Sequence, residues 1–411
     1  MKILILCDMF PPAFGPRMGY LCKYLKKAGW QPVVVTEYIE DKTFSFLAKE
    51  LDVTYVNFYK ASGTVFQYIE WLMVFLADFL LNYKDRKMTQ VASKLLAQGG
   101  YSGILCSTYR TFPLPAAYQL SKRFQLPFIA DTRDILEQYA STEYIAHSFR
   151  TFPFIDKFII GVFKKKLLQG RNKALSAANY ITTVSPWHVQ IMSQFNSNVA
   201  LIYNGFDPEI FYPEKIPTSQ FRVTYTGRLL SLATRDPQLL FEAIALLSQQ
   251  NLIQPQDFRV QWYIDKTSKE ILQQQANLYG VIEFMDFYNY VPAAEIPKIL
   301  NRSSVLLQLA NLASGKGPKG IMTTKLFESL AVEKPLLCVR SDESYLEKII
   351  NNAHAGLAAR DVNQVYNFLY TYYQKWKEKG YTTIQINKAV VDQFSRRQQA
   401  KQFMDIFEKV V

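Results

Sequence analysis

Lys2-Ile-Leu-Ile-Leu-Cys7, then Asp8, the loop Phe10-Pro-Pro-Ala-Phe-Gly15-Pro-Arg17-Met-Gly19 and the helical Leu21-Cys-Lys-Tyr-Leu-Lys-Lys-Ala-Gly-Trp30 read as a strand, a glycine turn and a helix in succession. Five apolar residues before a carboxylate are too few for a signal-peptide core, so the start is a first strand. The strand is apolar at every position from Ile3 to Cys7 rather than at alternate ones. Such a strand needs cover on both faces, which is the condition of a parallel sheet between helix layers.

The same rhythm continues at PVVVTE (32–37), VTYVNF (53–58), GILCS (103–107), PFIADT (127–132), YITTVS (180–185) and VALIYN (199–204). It returns at FRVTYTG (221–227), FRVQWYI (258–264), VIEFMDF (281–287), SVLLQLA (304–310) and PLLCVR (335–340), with helical stretches between. Each half therefore reads as a doubly wound α/β unit. The turn Asn204-Gly205-Phe206-Asp207-Pro208 supplies the boundary, dividing an N-terminal Rossmann-like domain of 1–203 from a C-terminal one of 204–391. A final amphipathic helix, from about Asp392 to Val411 with Phe394, Phe403, Met404 and Phe407, caps either domain. A length of 411 residues agrees with two cores. Ligands of such sheets sit beyond the carboxyl ends of the strands, so the pair predicts two domains facing across a cleft.

A net charge of +12 favours an anionic partner. The basic residues form no Arg/Gly-rich tract, RNP-like motif or zinc-finger spacing, which sets nucleic acid aside. Cys7, Cys22, Cys106 and Cys338 make no CxxC pair, and three of them lie in apolar strands, as expected of reduced, packed thiols in a cytoplasmic protein. His147, His188 and His354 are scattered, and no D-x-D triplet occurs, so neither a metal site nor histidine catalysis is expected.

Two segments carry phosphate chemistry. At Gly15 and Arg17 a glycine turn opens a helix, where a diphosphate meets backbone amides and a guanidinium; an ordinary Gly/Pro turn fits as well. Ala313-Ser-Gly-Lys-Gly-Pro-Lys-Gly320-Ile-Met-Thr-Thr-Lys325-Leu-Phe-Glu328 is stronger: a glycine- and lysine-rich loop feeds a helix carrying Thr324 and Lys325 in its first turn. Amides and cations there suit a phosphate, and a carboxylate one turn on suits ribose hydroxyls; the alternative is an exposed Lys325–Glu328 ion pair.

These motifs resemble glycosyltransferase family 4 and its GT-B-fold relatives. The likeness runs through the PP-x-F-G-x-R-M loop, FIADTRD (128–134), YITTVSP (180–186), IYNGFDPEIF (202–211), YTGRL (225–229), TRDP (234–237) and TTKLFESLAVEKPLL (323–337). It implies a transferase that moves a sugar from a nucleoside diphosphate sugar, its co-substrate, to a glycan or lipid-linked acceptor in surface-polysaccharide synthesis. Retention of configuration without a metal is implied too. Glu328 matches the second of the family's two glutamates and takes the ribose; Gly320 stands where the first would be, which leaves the sugar contact to other groups. Arg228 and Arg235 answer to the diphosphate cations. On the acceptor side, Asp131 orients or deprotonates the acceptor beside Arg133 and Asp134, or the three form a structural salt-bridge group. A non-catalytic nucleotide- or glycan-binding module and a nucleotide-sugar epimerase of the same fold are the other readings.

Two apolar segments bear on location. TVFQYIEWLMVFLADFLL (64–81) approaches the length of a membrane span but contains Glu70 and Asp78, so a buried or membrane-surface helix is expected. Residues 149–173 interleave Phe152, Phe154, Phe158 and Phe163 with Lys164, Lys165, Lys166 and Arg171, either a packed helix or one lying in an anionic interface on the inner face of the cell membrane.

Overall fold

The computed structural model describes residues 1–138, 153–229, 231–232, 235–310 and 323–411. The chain divides into two units, Met1–Tyr203 with Gln399–Val411, and Asn204–Gln398.

In unit 1 the strands are β1 (Lys2–Cys7), β2 (Gln31–Glu37), β3 (Asp52–Val56), β4 (Gly103–Thr108), β5 (Phe128–Thr132), β6 (Tyr180–Thr183) and β7 (Val199–Leu201). They form one sheet in the order β3-β2-β1-β4-β5-β6-β7, every pair parallel. The all-apolar β1 explains itself: Leu4 and Leu6 meet Met88, Ala92, Ala117 and Leu120 on one face. Ile3, Ile5 and Cys7 meet Met18, Leu21, Leu25, Phe403 and Phe407 on the other. Helix Pro16–Lys27 therefore covers one face with the end of helix Arg396–Val410, whose Phe407 ring stands 5.8 Å from that of Trp30. Full burial of one such ring stabilises by about 2–3 kcal/mol.

Unit 2 repeats the plan with β8 (Phe221–Thr226), β9 (Phe258–Tyr263), β10 (Met285–Tyr288), β11 (Val305–Leu309), β12 (Leu336–Val339) and β13 (Gly356–Ala359). The order is β10-β9-β8-β11-β12-β13, again parallel throughout. Its core gathers Phe221, Phe258, Trp262, Phe241, Tyr373 and Trp376. Two differences from the sequence pattern stand out. β10 begins at Met285 because Ile282–Phe284 is a short 3-10 turn. β13, Gly-Leu-Ala-Ala, carries no β-branched residue and is held as a strand by pairing with β12. The last helical segment divides, with Phe394 against Phe327 in unit 2 at 4.8 Å and Phe403 and Phe407 in the core of unit 1.

Candidate functional site

In unit 1 the carboxyl edge of the sheet carries buried charge. Asp131, at the end of β5, is fully buried, and Arg17, in helix Pro16–Lys27, is 5% exposed. The guanidinium grips the carboxylate in a fork, Nε to Oδ2 at 3.1 Å and a terminal NH2 to Oδ1 at 2.9 Å. Ser107 and Thr182 donate to the remaining positions of Asp131 at 2.8 and 2.7 Å. Arg17 gives two further donors to the carbonyls of Tyr203 and Ile202, both at 2.9 Å. Burial alone raises the Asp131 carboxyl, but the Arg17 charge and the hydroxyl donors outweigh it and hold it below the ordinary carboxylate range.

This arrangement supports the salt-bridge alternative at Asp131. With each oxygen accepting two hydrogen bonds from inside the fold, Asp131 has no lone pair directed at an acceptor, and Arg17 ties the first helix to β5 and the end of the unit. Gly15 is likewise a requirement of its own loop: a Cβ there would stand 2.7 Å from the Met9 carbonyl oxygen and 2.8 Å from the Phe10 Cα. Arg133 pairs with buried Asp8, which also accepts the Tyr109 amide at 3.0 Å. Asp134 differs. It is half-buried and receives one hydrogen bond, from the Gln138 amide to Oδ1 at 2.9 Å, so among the described residues its Oδ2 has none. Burial raises its carboxyl against the Gln138 hydrogen bond and the Arg133 charge. Of the charged groups Asp131, Arg133 and Asp134 at the end of β5 and just beyond it, Asp134 keeps the valence a proton acceptor needs.

Unit 2 gathers a second set. β8 ends in Thr226, and the following Gly227 adopts φ +128°. A Cβ on Gly227 would fall 1.3 Å from the Lys325 Nζ. The Lys325 side chain therefore lies directly over a glycine backbone, a route that only glycine leaves open. Its ammonium also sits 5.6 Å from the centre of the Tyr225 ring. Lys325 and Thr324 open helix Thr324–Ala331, and Glu328 follows one turn later, so the spacing seen in sequence becomes a shared face. Thr323 caps that helix with a buried hydroxyl that makes no hydrogen bond among the described residues. Gly320 and the glycine- and lysine-rich loop lie outside the described residues.

The electrostatics of this set are only partly compensated. Lys325 is driven down to about 8, first by burial and then by the charges of Arg235 and Arg228, with Glu328 opposing. Glu328 is pushed up to about 7 by burial, against the attraction of Arg396 and Lys325, with no hydrogen bond among the causes. Arg228 is more open: its Nε donates to the Tyr290 hydroxyl at 3.1 Å, and the side chain is 67% exposed, 3.9 Å from Asp265. Arg235 donates to the Arg228 carbonyl. Three cations, with Asp265 beside Arg228 and the raised Glu328 carboxyl, gather at a strand end and a helix N-terminus, chemistry that suits a multiply charged anion with hydroxyl groups beside it. Gly227, Thr323 and Arg396 were not singled out by sequence; the glycine in YTGRL was the available signal, whereas Arg396 lies far along the chain.

Two open, all-parallel sheets covered by helices on both faces make the architecture that of GT-B glycosyltransferases. The solved structures it matches span the chain from end to end. HepE from Anabaena, in complex with UDP, is 13% identical with 100% of both chains covered and a TM-score of 0.63. Sucrose-phosphate synthase from Thermosynechococcus elongatus is 14% identical, covering 100% of this chain and 99% of its own at a TM-score of 0.62. The lipopolysaccharide outer core galactosyltransferase WaaB in its apo form is 13% identical at a TM-score of 0.57, with 100% of both chains covered. At these identities the likeness carries the fold. No protein-family model and no curated protein sequence matches the chain.

Removing the carboxylate charge while leaving buried Arg17 in place, as Asp131→Asn does, is expected to destabilise unit 1 by about 3–5 kcal/mol. Urea unfolding reads this as a lowered midpoint; a midpoint equal to the parent's would remove the structural role. Glu328 gives a pH signature. Its folded carboxyl titrates at about 7 and an unfolded one at about 4.3. The group therefore imposes no penalty on folding at low pH and an increasing one as pH rises through 7. Glu328→Gln should melt with the parent near about pH 4 and above it near about pH 8, and a gain that shrinks with rising pH would contradict the buried, unpartnered carboxyl.

Proposed function

We propose that the chain is a glycosyltransferase that takes a sugar from a nucleoside diphosphate sugar and passes it to a glycan or lipid-linked acceptor. The observation that carries this reading is the Lys325 ammonium laid over Gly227 at the N-terminus of the helix that holds Glu328. In it, the diphosphate takes Lys325, Arg228, Arg235 and the Thr323–Thr324 helix start, and the ribose hydroxyls donate to Glu328. When the sugar departs, negative charge grows on the β-phosphate, and cations held in a partly dry site stabilise that charge more than the neutral bond it came from. No step calls for a metal, the cations taking that role, and transfer proceeds with retention as the departing phosphate helps to take the acceptor proton. Asp134 is the group in unit 1 suited to orient or relieve the acceptor hydroxyl. UDP, the nucleotide seen with Anabaena HepE, is the first donor nucleotide to try.

A membrane-bound acceptor is supported by one surface. Helix Thr64–Leu81 is long and apolar enough to cross a membrane, yet it lies on the protein. Phe75 and Phe79 pack against Phe163 of helix Pro153–Ala177 at 4.6 and 6.2 Å. Its two carboxylates turn inward: Glu70 accepts the amides of Lys60 and Ala61 at 2.9 and 2.8 Å, and Asp78 that of Lys84 at 2.9 Å. What remains outside is apolar, with Phe66 69%, Met73 59% and Leu80 69% exposed, alongside Phe154 and Phe158 at 72% each on the neighbouring helix. Lys157, Lys164 and Lys165 flank those phenylalanines in sequence. Such a face suits the headgroup boundary of an anionic bilayer and supports the reading of a protein that works against the inner face of the cell membrane.

Arg228→Ala, Lys325→Met and Gly227→Ala should each weaken UDP binding by about tenfold or more, as measured by calorimetry, and abolish sugar transfer. Parental affinity in all three would end the donor-site assignment. Hydrolysis of a sugar nucleotide without acceptor, or transfer to a lipid-linked one, separates a transferase from a binding module; interconversion of free sugar nucleotides would indicate an epimerase. For the surface, flotation with vesicles rich in anionic lipid should carry the parent chain and leave a Phe66→Asp/Phe158→Asp variant behind. Equal flotation of the two would remove the proposed contact.

A further inference from the structure

On the face of the unit 2 sheet beneath the short helix Ile296–Asn301 lies a cavity of about 230 Å³. Its walls hold Arg222 from β8, Gln261 and Tyr263 from β9, and Glu295, Lys298 and Arg302 from around the helix. Arg222 is five residues before Gly227, roughly 16 Å back along an extended strand, while Tyr263 pairs with Thr226, so the space runs along β8 on the sheet face opposite the Tyr225 ring beside which Lys325 lies.

The charges here do not balance. Arg222 stands beside Arg259 in the β8–β9 register, two like charges on neighbouring strands. Arg259 has taken the nearby carboxylate, Asp286, in a salt bridge. It fills its other donors with the carbonyls of Pro255, Glu283 and Met285. Arg222 has no such partner: its Nε is buried and makes no hydrogen bond among the described residues. Neither Lys298 nor Arg302, both exposed, forms an ion pair among the described residues, and Glu295 is the only acid in the walls. Three cations against one carboxylate, with a buried guanidinium donor left over, is a costly arrangement for a structural filler and a good one for an anion. The volume is below the roughly 300–1,000 Å³ of drug-sized pockets, which favours a small occupant. Tyr263 supplies an apolar wall, and its ring is stacked on Tyr288 at 4.8 Å, which fixes it in place.

We propose that this cavity is a second anion site, separate from the one at Lys325 and Glu328, which takes a small phosphorylated molecule of about the size of a sugar phosphate. Its phosphate meets Arg222, Lys298 and Arg302, and its organic part lies on Tyr263. The site does not depend on the donor reading, because none of its groups belongs to that set.

Calorimetric titration of the full chain with glucose 6-phosphate tests it, with glucose as the uncharged control. Binding should be seen for the phosphate and not for glucose, should weaken about tenfold or more in K298Q/R302Q, and should survive in Lys325→Met. Both exchanged residues of the first variant are exposed, so its melting temperature should stay with the parent's; Arg222→Met should show the same loss of binding. Parental affinity in K298Q/R302Q, or loss of all binding in Lys325→Met, overturns the proposal, the latter by placing the phosphate at the other site.

Discussion

A parallel strand leaves apolar side chains on both faces, and both must be covered by helices. This constraint sets the rest of the molecule. Because the helices return the chain to the same end of the sheet each time, every strand points its carboxyl end at one edge, and the loops that follow collect there. Asp8, Asp131, Arg133 and Asp134 in unit 1, and Gly227, Arg228 and Asp265 in unit 2, stand at those edges for this topological reason, whatever chemistry each then performs.

Position at the edge is thus not by itself a sign of catalysis, and the two units show why. Asp131 is saturated: Arg17, Ser107 and Thr182 occupy its oxygens, and its carboxyl is held below the ordinary range. Glu328 is the opposite case, raised by burial with its compensation left to cations at a distance. Lys325 is pushed down first by burial and then by the like charges of Arg235 and Arg228. A group whose charge is answered inside the fold contributes to stability, whereas one whose charge is left unanswered is spared for a ligand.

That difference governs how much the amino-acid pattern could show. Runs such as Lys2–Cys7 and Phe221–Thr226 announce both sheets because burial on two faces dictates their composition directly. β13 is silent, since Gly-Leu-Ala-Ala is a strand only through its register with β12. At the site, the helical spacing of Lys325 and Glu328 was legible from local geometry. The saturation of Asp131 was not, because it depends on donors brought from β4, β6 and the first helix, as far as 114 residues away in sequence. Likewise, nothing in YTGRL says that a lysine side chain will cross the glycine from nearly a hundred positions later.

Glycine at 227 also bears on how the cations stay together. Lys325 repelled by Arg228 and Arg235 would swing into water if its stem were free, since exposed ammonium groups gain solvation and rotamer entropy by doing so. Here the stem is confined between the Tyr225 ring and the Gly227 backbone, and it enters from a helix start whose own dipole adds to the repulsion. The packing holds in place a charge that electrostatics alone would disperse, so the positive site exists before any anion arrives. A ligand meeting it need not reorganise the cations and gains their full attraction on binding, which is the property a charge-stabilising site requires.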